Sequence, residues 1–193
     1  MIKNLIRWTE KFAEHKHSEI FLSVVSFTES SIFPIPPDFL IIAILSHHIK
    51  KSWIKIASNT TLSSVLGGIL GYTIGHFFYQ YLGLPLVHFY GVENEIASIG
   101  EKLRENAFWF LILLSFTPIP YKVATISSGI FNVSFPVFLI ASIIGRAKRF
   151  FLVAYLSHRF GVRAKQKILE TDEKLIWFSL LAIIVLIYLL FIK

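Results

Sequence analysis

Glu29 and Asp38 are the two of twelve acidic residues that fall within the otherwise apolar run from Ile20 to Ser46. An ionised carboxylate in such surroundings is costly, so it pairs, shifts its pKa or binds something. A proton carrier needs a group whose charged and protonated forms both become accessible. Glu29 and Asp38 are therefore candidate proton-coupling residues; the alternative is that they cap or hydrogen-bond the turn between them. Four basic residues, Lys122, Arg146, Lys148 and Arg149, lie in comparable surroundings. Lys122 holds the place in a later turn that Asp38 holds in the earlier one, and a contact between the two is expected. On a helix Arg146 and Arg149 share a face, whereas Lys148 points elsewhere. Paired guanidinium groups hold a phosphate through forked hydrogen bonds. Lys122, Arg146 and Arg149 are thus candidate substrate-binding residues for an anionic head group, unless the basic cluster lies at a surface or Lys122 extends to an interface.

Other chemistries find no residues to carry them. The chain has no cysteine, which removes thiol catalysis, disulfides and thiolate metal sites. It has no G-x-S-x-G elbow, no P-loop and no H-E-x-x-H. Its seven histidines are scattered at polar or boundary positions, and no metal site, cofactor or enzymatic activity is expected. The net charge of +7 would suit nucleic acid in a soluble protein. Here the basic residues distribute by membrane side instead, and no nucleic-acid partner is expected.

The elements that position these residues follow from composition. Of 193 residues 54% are hydrophobic and 16% charged, with nineteen phenylalanines and a mean hydropathy of +0.64. A soluble domain carries about a quarter charged residues, so the chain lacks the polar side chains to cover itself in water. One all-α polytopic membrane domain is expected. Residues 1–19 read as an amphipathic interfacial helix. Residues 20–46 are broken by Pro34, Pro36 and Pro37, which withdraw backbone donors and forbid one continuous helix. Its arms are too short to span, so it forms a re-entrant hairpin. Residues 107–131 repeat the design around Pro118 and Pro120. Pro34-Ile35-Pro36-Pro37-Asp38 and Pro118-Ile119-Pro120-Tyr121-Lys122 stand 84 residues apart, each after a Ser-Phe-Thr arm. Non-helical backbone at membrane depth needs shielding by protein or a wet cavity, so the two turns should face each other as inverted repeats.

Three segments, 56–78, 135–157 and 175–192, are expected to cross. In the first, Gly67, Gly71 and Gly75 lie four apart, the spacing of close helix packing. If both hairpins return to their starting side, the N-terminus, the Lys50 to Lys55 loop and a 158–174 loop share one face. That face holds twelve of the nineteen Lys and Arg, and the opposite face only Lys102, Arg104 and Lys193. By the positive-inside rule the basic face, including the N-terminus and the 158–174 loop, is cytoplasmic.

The motifs F-T-E-S-S-I-F-P-I-P-P-D at 27–38, G-G-I-L-G-Y-T-I-G at 67–75, and S-F-T-P-I-P-Y-K at 115–122 followed by Ser128-Gly129 resemble the DedA membrane protein family. The likeness is closer to its YqaA-type branch, within the wider VTT-domain or SNARE-associated group. The resemblance implies two facing re-entrant hairpins in a bacterial inner-membrane protein. It also implies flippase- or scramblase-like movement of a phospholipid or polyprenyl phosphate between leaflets, with protons as coupling partner. Glu29 and Asp38 match the family's acidic residues. The second hairpin departs from the family's R-F-x-P-x-x-R, with Ser115 and Tyr121 at the arginine places, and Lys122 and Arg146 are expected to supply the charge. The competing classes are a membrane-embedded enzyme acting on lipid phosphate and a membrane-protein assembly factor.

Overall fold

A computed structural model describes residues 12–13, 15–33, 35–47, 51–116 and 120–170. Among these residues all regular structure is helical: α1 (Ser18–Ser31), α2 (Asp38–His47), α3 (Trp53–Phe78), a π-helical turn (Tyr79–Gly83), α4 (Leu84–Tyr90), α5 (Glu93–Glu105), α6 (Ala107–Phe116), α7 (Tyr121–Ile130) and α8 (Phe135–Glu170). The protein is all-α.

The breaks have local causes. At the end of α1 the backbone N–H groups of Ile32 and Phe33 both fold back onto the Thr28 carbonyl, at 2.8 and 2.7 Å. Proline cannot continue a helix from there, and the chain restarts at Asp38, with the Pro37 carbonyl accepting from Ile41 N–H at 3.0 Å. Pro120 serves α7 in the same way, its carbonyl accepting from Val123 N–H. Pro34, Pro118 and the 175–192 segment lie outside the described residues, as do residues 1–11 of the expected interfacial helix. That helix does not run unbroken to 19, because residues 15–17 turn before α1 begins. Ser52 caps α3 by accepting from Lys55 N–H, so this helix starts three residues before the expected boundary. It continues through the π-helical turn into α4, which ends at Gly91, where φ is +64°. The basic stretch expected as a loop from 158 is helical through Glu170; it contains no proline, and its Ala, Lys, Gln and Leu favour the helix.

Interhelical contacts fix the directions. Ser18 lies beside Lys51, Ser26 donates to the Thr60 carbonyl and Ser30 meets Ser64, so α1 and α3 run the same way. Helix α7 follows them, its Thr125 near Gly68 and its Gly129 against Tyr72. Helix α8 runs opposite: Trp53 packs on Tyr155, Ser64 on Arg146 and Tyr72 on Phe135. Helices α6 and α2 accompany α8. Ser115 reaches Arg149, and Leu111 shares a core cluster with Ala141. Asp38 also reaches Arg149, while Ile44 clusters with Ala154. The unit α1–turn–α2–α3 thus recurs as α6–turn–α7–α8 with each member reversed.

On α3, and in part on α8, polar residues are buried and apolar ones face outward. On α3 the buried side carries Thr60, Thr61 and Ser64 with Gly67, Gly68, Gly71 and Gly75, whereas Leu62 is 62% exposed and Phe77 52% exposed. On α8, Ser142 and Arg146 are buried while Ile140, Ile143 and Leu152 face outward. Among the described residues no helix is both long and apolar enough to cross a membrane. The expected crossing segments 56–78 and 135–157 are helical, but each spends part of its length on polar residues that face the protein interior.

Candidate functional site

Four helix ends converge where the proline turns meet: the end of α1, the start of α2, the end of α6 and the start of α7. Helix α8 passes beside them and inserts two arginines. Arg146 is buried, and its Nη2 lies 2.6 Å from Glu29 Oε2 while its Nε donates to Ser64 Oγ at 2.6 Å. The guanidinium carbon sits 4.7 Å from the Tyr121 ring centroid and 4.4 Å from that of Phe150. Stacking of this kind holds a desolvated guanidinium in place by cation–π attraction.

Glu29 is buried with it. Its Oε1 accepts the backbone N–H of Tyr121 at 2.9 Å, and its Oε2 also takes the Ser30 hydroxyl. Tyr121 opens α7, so its N–H is one of the groups a helix start leaves unpaired. The carboxylate therefore occupies the positive end of the α7 dipole as well as the arginine fork.

Arg149 lies about one turn further along α8. It grips Asp38 with two nitrogens, Nη2 to Oδ2 at 2.6 Å and Nε to Oδ1 at 3.3 Å, while Nη1 donates to the Ser115 carbonyl. One arginine thus joins the start of α2 to the end of α6, and the other ties the end of α1, through Glu29, to the start of α7. The Tyr121 hydroxyl donates to Ser142 at 2.8 Å.

The expected Asp38–Lys122 contact does not form. Asp38 is taken by Arg149, and the Lys122 ammonium donates to the Ile32 carbonyl at 2.7 Å. The reason is that the guanidinium reaches the carboxylate from α8 with a planar fork, while Lys122 projects toward the end of α1. Lys148 is exposed. Glu29, Arg146, Asp38 and Arg149 are brought together; Lys122 stands beside them, facing a groove. Sequence reasoning missed Ser64, Phe150 and the stacking role of Tyr121. The Ser/Thr face of α3 was the available signal for Ser64.

A family model of the VTT domain matches residues 33–159. The chain belongs to the VTT-domain (DedA) family. That family is membrane-associated and linked to transport-like function. An uncharacterized protein of Haemophilus influenzae is 33% identical over 180 residues, covering 93% of this chain and 92% of the relative. One of Histophilus somni is 30% identical over 181 residues, covering 94% and 93%. No solved structure matches. The VTT match includes Asp38, Lys122, Arg146 and Arg149 and begins four residues after Glu29. In this VTT-domain chain the guanidinium groups come from α8. Ser115 and Tyr121, at which the second hairpin departs from the R-F-x-P-x-x-R pattern, contribute a carbonyl to Arg149 and an N–H to Glu29.

Proposed function

We propose that the chain is an integral membrane protein that moves a phosphate-headed lipid, a phospholipid or polyprenyl phosphate, between leaflets, coupled to protons. It makes and breaks no bond in that lipid. The two reversed units are re-entrant hairpins, each followed by a long helix, and the exposed leucines, isoleucines and phenylalanines of α3 and α8 face lipid tails. Soluble monomers rarely expose contiguous apolar patches beyond a few hundred Å², which supports the membrane setting. Lys51 and Lys55 at the start of α3 lie at the same end as the last part of α8, a grouping that supports a cytoplasmic location in the bacterial inner membrane for this end.

The observation that carries the reading is the position of the Glu29 carboxylate. Arg146 and the start of α7 together form an anion cradle, and Glu29 fills it. A proton on Glu29 removes the charge that holds Arg146, freeing the guanidinium and the Tyr121 N–H for a phosphate oxygen. Return of the carboxylate expels the phosphate. Asp38 and Arg149 offer a second pair of the same kind about one helical turn away along α8. A ligand that binds one protonation state better than the other shifts the equilibrium between them by its differential affinity. Substrate and proton are then linked through one site.

The test is reconstitution into liposomes with an imposed pH gradient, scoring leaflet exchange of labelled phospholipids and polyprenyl phosphates. Exchange of a phosphate-headed lipid that depends on the gradient and disappears in Glu29→Gln supports the proposal. Exchange unaffected by that substitution, or a chemically altered head group, overturns it.

A further inference from the structure

Beside the buried cluster an open groove of about 540 Å³ runs between the end of α1, the middle of α7 and α3. Ile32, Ile74, Val123 and Ile126 form its walls, and Ser31, Ser127 and Lys122 bring polar atoms to it. The walls are apolar except around Lys122. The Ile32 carbonyl that holds the ammonium is neutral, and among the described residues Lys122 forms no ion pair. A positive charge therefore faces an apolar groove, with no ion-pair partner among the described residues. Asp38, its counterpart in the reversed unit, is by contrast engaged by Arg149.

We infer that this groove is the lateral docking site of an anionic phospholipid, with the head-group phosphate on the Lys122 ammonium and an alkyl chain along Ile32, Ile74, Val123 and Ile126. Its volume falls within the range of ligand-sized pockets, and charge complementarity selects the head group. The residue preceding Lys122 is Tyr121, whose N–H holds Glu29, so a phosphate docked here stands next to the cradle. The groove lies toward the Gly71 and Gly75 end of α3, away from Lys51 and Lys55. Lipid reaches it from the leaflet opposite the basic face. This inference rests on the lipid-moving function proposed above and adds to it a place, a side and a preference for anionic over zwitterionic head groups.

The test places photoreactive benzoylphenylalanine at Val123, in the groove, and separately at Ile140, which faces outward on α8. Full-length protein is reconstituted into vesicles of equal parts phosphatidylglycerol and phosphatidylcholine, and the captured lipids are identified by mass. At position 123 phosphatidylglycerol should be captured over phosphatidylcholine at a ratio of about five to one against one to one in the bilayer, the scale set by one lysine facing an anionic lipid. Position 140 should return the bilayer ratio. Lys122→Gln should abolish the enrichment and Lys122→Arg should keep it. Bilayer-ratio capture at 123, or enrichment that survives Lys122→Gln, overturns the groove. If the position-123 variant does not fold, native mass spectrometry of the unlabelled protein and its Lys122→Gln variant from the same vesicles gives the same comparison. Leaflet exchange measured in parallel separates the two ideas: exchange without enrichment removes the groove alone, and enrichment without exchange removes translocation alone.

Discussion

Glu29 and Arg146 stand 117 positions apart in the chain and meet at 2.6 Å in the protein interior. The carboxylate also holds the first N–H of α7 at 2.9 Å. A single side chain therefore ties the first hairpin to the second and to the long helix behind them. A buried pair of this kind offers little net stability over an apolar replacement, yet breaking it by removing one partner typically costs about 3–5 kcal/mol.

Glu29→Gln keeps an acceptor oxygen for Tyr121 N–H or for Arg146, which the carboxylate serves through separate oxygens, and removes the charge. It should fold with a lowered melting temperature and lose lipid exchange. Adding Arg146→Met should recover part of the stability and none of the exchange. Thermal melting in detergent and the liposome assay read the two effects separately; full exchange in the single variant would remove Glu29 from the mechanism.

Asp38 should couple to Arg149 and not to Lys122. A double-mutant cycle for Asp38→Asn with Arg149→Gln should give about 1 kcal/mol or more, within the range for residues in direct contact. The cycle with Lys122→Gln should give close to none. Cysteines at 38 and 122 should fail to cross-link under oxidising conditions.

Close helix approach should fail when a methyl group is added. A Cβ on Gly67 would land on the carbonyl oxygen of Phe27, and one on Gly129 on that of Tyr72. Backbone cannot yield as a side chain can, so Gly67→Ala and Gly129→Ala should each destabilise by at least about 1–3 kcal/mol, the usual cost of overpacking. Gly68→Ala, whose Cβ would meet the Thr125 methyl at 3.3 Å, should be milder. Yield of monodisperse protein by size exclusion ranks the three.

Glu19 joins the start of α1 to Lys51 and Lys55 at 3.2 and 3.3 Å. Burial pushes its pKa up, but the hydrogen bonds and charges of the two lysines outweigh that and hold it below the ordinary value of 4.5. A depressed carboxylate pKa stabilises the fold above 4.5, and that contribution is lost as pH falls through the lower folded-state value. The melting temperature of the wild-type protein should therefore drop toward that of Glu19→Gln as pH decreases below 4.5. A constant gap between the two down to acid pH would show that the pair does not contribute.

The sequence alone made the helical class, the two proline turns and the repeat legible, because each is a local property: proline removes a donor wherever it stands, and a spacing of four residues puts glycines on one helical face. It also singled out Glu29, Asp38, Lys122, Arg146 and Arg149, since charge in an apolar stretch is conspicuous without coordinates. Which charges meet was decided by the tertiary structure. Matching Asp38 to Lys122 by their places in the repeat assumed that partners come from the two turns themselves. The fold instead threads α8 past both turns, and its guanidinium groups claim both carboxylates, Arg149 holding Asp38 with two nitrogens and Arg146 holding Glu29 with one. The polar face of α3 shows the same division. Thr60, Ser64 and Gly67 lower the hydropathy of the segment when read as a string, and only their burial against α1 and α8 turns them from an interruption into the packing surface.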